Sequence, residues 1–204
     1  GVDNEPALAS LLGDHRVLGG LAVRIGGHIV QPGVVEAEGP AQIVMGEWPM
    51  VLGSDRRGPL LQQLQEDFEA AAIPTTVSDN IRYELWRKLV INNGVNPISA
   101  ITGLDTFTLT HDPYYANIVY AAMQETAEAA LYDGVVLTQQ DIDGLFALIK
   151  NFDPIKTSML IDKEKGRPIE LEAIVGAVVK RCKKRGVPAP QNQYFAESLS
   201  EQIR

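Results

Sequence analysis

Trp86-Arg87-Lys88-Leu89-Val90-Ile91-Asn92-Asn93-Gly94-Val95-Asn96-Pro97 is the stretch on which the reading of this chain turns. Lys88, Asn92 and Asn96 recur at i+4 steps, and residues four apart lie above one another on a helix face. The spacing sets an ammonium and two carboxamides on one stripe, where they can converge on a small polar ligand. Leu85, Leu89 and Val90 then pack another side into protein. Asparagine competes with the backbone for hydrogen bonds and is a poor residue for a helix interior. Two on one face, beside a lysine and ahead of a proline, point to a use for the amides. A plainer reading stands beside this one. Glu84 precedes Lys88 by one helical turn, in the favourable order for an exposed ion pair worth about 0.3–0.5 kcal/mol. On that reading Asn92 and Asn93 cap a fraying helix before Gly94.

Working outward, Asn4 to Leu12 reads as a short helix ended by Gly13. Val17–Ile25, His28–Val30, Val34–Glu38 and Gln42–Met45 read as extended segments, separated by turn signals at Gly26-Gly27, Pro32-Gly33 and Gly39-Pro40. Leu60 to Ala72 has helical periodicity with Leu60, Leu61, Leu64 and Phe68 on one face. Ile73 to Val77 reads as a short strand. After Ser78-Asp79, either of which suits the cap of the Lys88 helix, the chain turns helical and stays so. His111-Asp112-Pro113 carries a cap with proline in the first turn, opening a helix to about Asp133-Gly134. Thr138 starts another, Asp153-Pro154 interrupts, and Gly166-Arg167-Pro168 breaks the series before a helix holding Glu170. The boundary falls between residues 1–77, an α/β piece, and residues 78–204, an all-helical domain.

The chain has 204 residues, 45% of them hydrophobic and 22% charged, as in an ordinary globular protein with a sizeable core. Its net charge of −8 argues against a general nucleic-acid binder, which needs a basic face for phosphates. The basic run Lys180, Arg181, Lys183, Lys184 and Arg185 reads as the solvated last turn of a helix, where cations suit the dipole. Cys182 is the single cysteine, so an intrachain disulfide is impossible and a cytoplasmic setting is the simplest expectation. Its basic neighbours are of the kind that lowers a thiol pKa. His15, His28 and His111 show no metal-ligand spacing, so no metal site is expected. No apolar run is long enough for a membrane span. Beginning without methionine, the sequence reads as a piece of something longer.

The Lys88 segment resembles the helical signature of ketopantoate reductases (2-dehydropantoate 2-reductases): lysine, three residues, asparagine, three residues, asparagine-proline. A second block carries the likeness, Ser158-Met159-Leu160-Ile161-Asp162 followed by Gly166-Arg167-Pro168-Ile169-Glu170, with the glutamate twelve residues after the serine. Ile174, Gly176, Gly186-Val187-Pro188-Ala189-Pro190, Gly1-Val2-Asp3-Asn4 and His15-Arg16-Val17-Leu18-Gly19-Gly20 also resemble the family. One departure is Val175, where many members carry asparagine; it reads as tuning of packing or of substrate choice.

The resemblance implies an α/β remnant of an N-terminal Rossmann-type domain, residues 1–77, followed by an all-α substrate-binding and catalytic domain, residues 78–204. It implies NADPH-dependent reduction of 2-dehydropantoate to pantoate on the route to coenzyme A. Lys88 is then the general acid, and Glu170 the carboxylate that binds a substrate hydroxyl and holds the lysine charged. Ser158 binds the substrate carboxylate, and Asn92 and Asn96 fix the substrate's polar edge. No two glycines stand two apart, so the Gly-x-Gly-x-x-Gly turn for a pyrophosphate is absent and no cofactor-binding residue is assigned. NADPH binding and turnover are therefore expected of an intact polypeptide and not of this stretch alone. Two alternatives are a related NAD(P)-dependent reductase of another 2-oxo acid, and a non-catalytic helical module for dimerisation or ligand binding. Apolar helices at Ile118–Ala130 and Ile169–Val179 motivate a homodimer.

Overall fold

The computed structural model describes residues 1–23, 26–38, 41–49 and 57–202. The chain forms two compact units, Asn4–Leu85 and Gly1–Asp3 with Trp86–Arg204. The first contains α1 (Asn4–Leu12), β1 (Leu18–Val23), β2 (Gly26–Gln31), β3 (Val34–Glu38), β4 (Gln42–Glu47), α2 (Gly58–Ala70), β5 (Thr75–Val77) and the first turn of α3 (Ile81–Thr102). β1 runs antiparallel to β4, from Leu18 opposite Glu47 to Val23 opposite Gln42, and β4 runs parallel to β5, giving the order β1-β4-β5. β2 and β3 form a separate hairpin around Gly33, whose φ of 80° a side chain would resist. Gly46 has a different reason to be glycine. A Cβ there would lie 2.6 Å from the Ser78 carbonyl and 2.8 Å from Ile81 Cβ, so its absence lets the start of α3 sit against β4.

The second unit continues α3 and adds α4 (Thr106–His111), α5 (Pro113–Ala130), α6 (Gln139–Lys150) and α7 (Ser158–Glu164). A π-helical turn at Glu172–Gly176 then leads into α8 (Ala177–Arg185), followed by α9 (Pro190–Gln202). Short polar residues start these helices by taking up otherwise unpaired backbone N–H groups. Asp105 accepts from Thr108 N at 2.7 Å, and Asp112 accepts from Tyr114 N at 2.8 Å ahead of Pro113. Thr138 and Asp141 form a reciprocal capping box. α9 instead borrows a distant carboxylate: Glu125 of α5 accepts from Gln191 N and Asn192 N, each at 2.9 Å. α5 is central, packing against α4, α6, α8 and α9. Trp86, Val119, Met123, Ile149, Val178 and Phe195 are among the fully buried side chains of this core.

The expected class is borne out, an α/β piece followed by helices, and several local expectations are corrected. Gly26 and Gly27 are not a turn but the first residues of β2, opposite Glu38 and Ala37. The Gly39-Pro40 turn and Ile25 lie outside the described residues. Leu60 does not share the buried face of α2; Leu61 is buried while Leu60 is 51% exposed, since neighbouring residues sit about 100° apart on a helix. Neither Ser78 nor Asp79 caps α3. Asn80 does, accepting from Tyr83 N at 3.1 Å, while the Ser78 hydroxyl accepts from Asn80 N. Nor do Asn92 and Asn93 end a fraying helix. α3 runs through Gly94 and Pro97 to Thr102, and Lys163 Nζ closes its C-terminal end by donating to Ala100 O at 2.6 Å.

Candidate active site

The buried side of α3 is the one its apolar spacing predicts: Leu85, Leu89 and Val90 are 8%, 3% and 0% exposed. This fixes the helix so that Lys88 and Asn92 are half-buried and Asn96, two turns on from Lys88, is buried. Among the described residues, no hydrogen bond engages the amides of Asn92 or Asn96. Neither amide is among the buried side-chain atoms left without a partner, so both reach solvent. The stripe is therefore open to a polar partner.

Burial lowers the pKa of the Lys88 ammonium from its ordinary value, and the negative charge of Glu170 opposes that shift. Glu170 is thus close enough to Lys88 to act on its charge. Glu170 itself is exposed and stands just ahead of the helix rather than within it; its carbonyl accepts from Ile174 N at 3.1 Å, at the entrance to the π-helical turn. Ser158 is the exposed first residue of α7, whose cap is Thr157. Among the described residues no hydrogen bond joins the Ser158 hydroxyl to the α3 stripe, although α7 is tied to α3 through Lys163. Lys88, Asn92 and Asn96 thus share one stripe of α3, and Glu170 acts on the charge of Lys88. An ammonium tuned downward beside a carboxylate, with two free amides along the same face, can hold a small polar ligand and deliver a proton to it.

Residues 80–202 match the family described as ketopantoate reductase PanE/ApbA C terminal. The chain belongs to the ketopantoate reductase family. The 2-dehydropantoate 2-reductase of Pyrococcus horikoshii is 28% identical over 195 residues, 94% of this chain and 61% of that protein. The crystal structure of 2-dehydropantoate 2-reductase from Methylococcus capsulatus superposes with a TM-score of 0.86 at 31% identity, covering 98% of this chain and 62% of that one. The ternary structure of D-mandelate dehydrogenase with NADH and anilino(oxo)acetate shares the fold, with a TM-score of 0.86 at 21% identity over 98% of this chain and 64% of that one. The chain thus spans about 61% of the Pyrococcus relative's length.

Two side chains of the helical unit differ from what the sequence predicts. Arg181 is no solvated member of the basic run. It is buried, with Nε 2.9 Å from Asp133 and a terminal nitrogen 2.7 Å from Asp3, and its guanidinium lies 5.2 Å from the Trp86 ring centroid. Cys182 is buried too. Burial pushes its thiol up to about 11 rather than down, the charges of Glu125 and Glu128 add to the rise, and Arg185 only partly opposes it. Val175, the departure from the family pattern, is fully buried in the π-helical turn and serves packing. An open cleft in the α/β unit, lined by Arg16, Leu18, Glu47, Pro49 and Arg57 among others, holds none of the candidate residues. Among the described residues no cluster of His, Cys, Asp and Glu is placed to hold a metal ion, and no helix is long and apolar enough to cross a membrane.

Proposed function

We propose that the intact polypeptide reduces 2-dehydropantoate to pantoate with NADPH, the helical unit supplying the substrate side of the site. Hydride arriving at a ketone carbon leaves negative charge on oxygen, and a positioned proton donor removes that charge as it forms. Lys88 is the donor, half-buried and lowered in pKa. Glu170 keeps it protonated and is placed to take a substrate hydroxyl. Asn92 and Asn96 hold the polar edge of the substrate, and Ser158 takes its carboxylate once a ligand draws these elements together. The α/β unit is the end of the cofactor domain, so NADPH is bound with residues that lie outside this chain. The carrying observation is the family match over the helical unit coinciding with a lysine and two uncommitted carboxamides on one helical stripe.

The test is NADPH oxidation by the full-length protein with 2-dehydropantoate, run beside Lys88→Ala. Turnover that collapses in the variant supports both the reaction and the acid; unchanged turnover removes Lys88 from the mechanism. A second reading, a reductase of another 2-oxo acid, draws on the D-mandelate dehydrogenase that shares the fold. Competition among branched and aromatic 2-oxo acids separates the two. A homodimer would suit a helical unit of this kind; light scattering across micromolar concentrations tests it.

A further inference from the structure

Beside Asn92 stands a residue that the reaction does not explain. Asn93 has no exposed surface, and its amide nitrogen donates two hydrogen bonds, to Thr126 Oγ1 of α5 at 2.7 Å and to Asn192 Oδ1 of α9 at 2.8 Å. The direction of both bonds is set by what lies behind them. The Thr126 hydroxyl donates its own proton to Ala122 O at 2.8 Å and can only accept from Asn93. The Asn192 amide donates to Glu125 Oε2 at 2.8 Å, which leaves its oxygen facing Asn93. Glu125 also takes the two backbone N–H groups at the start of α9. A continuous chain of hydrogen bonds therefore runs from a carboxylate on α5, through α9, into α3, and back to α5.

Next along the helix, Gly94 lets α3 and α5 approach closely. A Cβ at that position would lie 2.8 Å from Met123 Cγ and 3.5 Å from Val119 Cγ1. Polar and steric constraints thus meet at one level of α3, immediately beside the stripe of Lys88, Asn92 and Asn96. Asn93 Oδ1 is buried without a partner among the described residues. An apolar residue would avoid that penalty and suit a helix interior better. What an apolar residue cannot do is select one rotational setting of the helix, because apolar contacts are non-directional.

We propose that Asn93 is a positioning residue: by tying α3 to α5 and α9, it fixes the rotation of α3 and so the aim of Lys88, Asn92 and Asn96. This rests on the reading of that stripe as the reaction face. A helix with its side chains has a radius of roughly 5–6 Å, so a turn of about 10° sweeps a side-chain tip through about 1 Å. A misplacement of about 1 Å costs up to 100-fold in rate.

The experiment compares full-length wild type with Asn93→Ala and with Thr126→Val, which removes one acceptor without altering α3. The expected result for Asn93→Ala is a kcat about 10- to 100-fold lower, with NADPH affinity unchanged. Thr126→Val moves kcat the same way by less. A purely structural role lowers the unfolding midpoint and leaves kcat at moderate temperature as in wild type, and that result overturns the proposal. If Asn93→Ala does not fold, Thr126→Val decides by the same criterion. The titration of Lys88, followed by NMR of isotopically labelled lysine, needs no substrate. A midpoint displaced in the variants supports the proposal, and one that does not move overturns it. Wild type that turns over no 2-oxo acid refutes the functional reading separately, and the Lys88 titration then decides the positioning role alone.

Discussion

Replacing Arg181 with methionine keeps most of the side chain's length and deletes its charge. The Arg181 side chain is 8% exposed, and its guanidinium donates to Asp133 at 2.9 Å, Asp3 at 2.7 Å and the Ala177 carbonyl at 3.3 Å. Breaking a buried ion pair from one side costs about 3–5 kcal/mol when the remaining charge stays dry. Asp133, with 17% of its side chain exposed, is near that limit. Asp3 is 50% exposed and rehydrates, so its share is discounted towards the surface range of about 0–1 kcal/mol. The contact over Trp86 adds about 0.5–1 kcal/mol. The expected total is about 3–4 kcal/mol, or roughly 6–16 °C in Tm for a domain of this size. Urea unfolding followed by Trp86 emission in a Trp48→Phe background measures it on the helical unit. A cost below about 1 kcal/mol would mean that this cluster is solvated and contributes nothing to the unit.

Three further outcomes follow from other parts of the molecule. Burial lowers the Lys88 pKa and Glu170 opposes it, so the acid form is lost as pH rises through a value below the ordinary 10.5; in the full-length enzyme Glu170→Gln should move the alkaline limb of kcat/KM to lower pH, and an unmoved limb would show that the two charges do not interact. Gly46→Ala should destabilise by about 1–3 kcal/mol, because its Cβ meets the Ser78 carbonyl at 2.6 Å, whereas Gly144→Ala on an open face of α6 should stabilise by about 0.5–1 kcal/mol; thermal melts of the two variants, compared with wild type, check the signs. With its thiol pushed up to about 11, Cys182 should resist iodoacetamide at pH 8 in the folded protein and react readily in urea, and fast labelling of the native state would contradict its burial.

What could be read from the sequence was whatever local spacing controls. The α3 stripe is an i+4 pattern, and the caps Asp112 and Thr138 lie beside the N–H groups they serve. Asn93 was illegible for the opposite reason. Its partners Thr126 and Asn192 are 33 and 99 residues away, and nothing in Asn92-Asn93-Gly94 tells which amide faces inward. Arg181 was hidden in the same way, sitting among exposed lysines while its partners Asp133 and Asp3 lie 48 and 178 residues distant. The basic run also misled at Cys182. Charge along the chain is not charge in space, and the lysines of that run point to solvent while the thiol points into the core.

The cap of α9 carries a consequence for how the molecule comes to exist in a cell. Its first backbone N–H groups are satisfied by Glu125, made some sixty-six residues earlier in the chain. Synthesis proceeds from the N-terminus, and earlier segments can begin to collapse first. Until the stretch from Pro190 has emerged from the ribosome, Asn93 lacks Asn192 and Glu125 has no helix to cap. The nascent helical unit therefore holds an unfinished polar interior until α9 has been made. A stalled or clipped chain lacking those residues would carry every candidate catalytic side chain and still lack the brace that aims them.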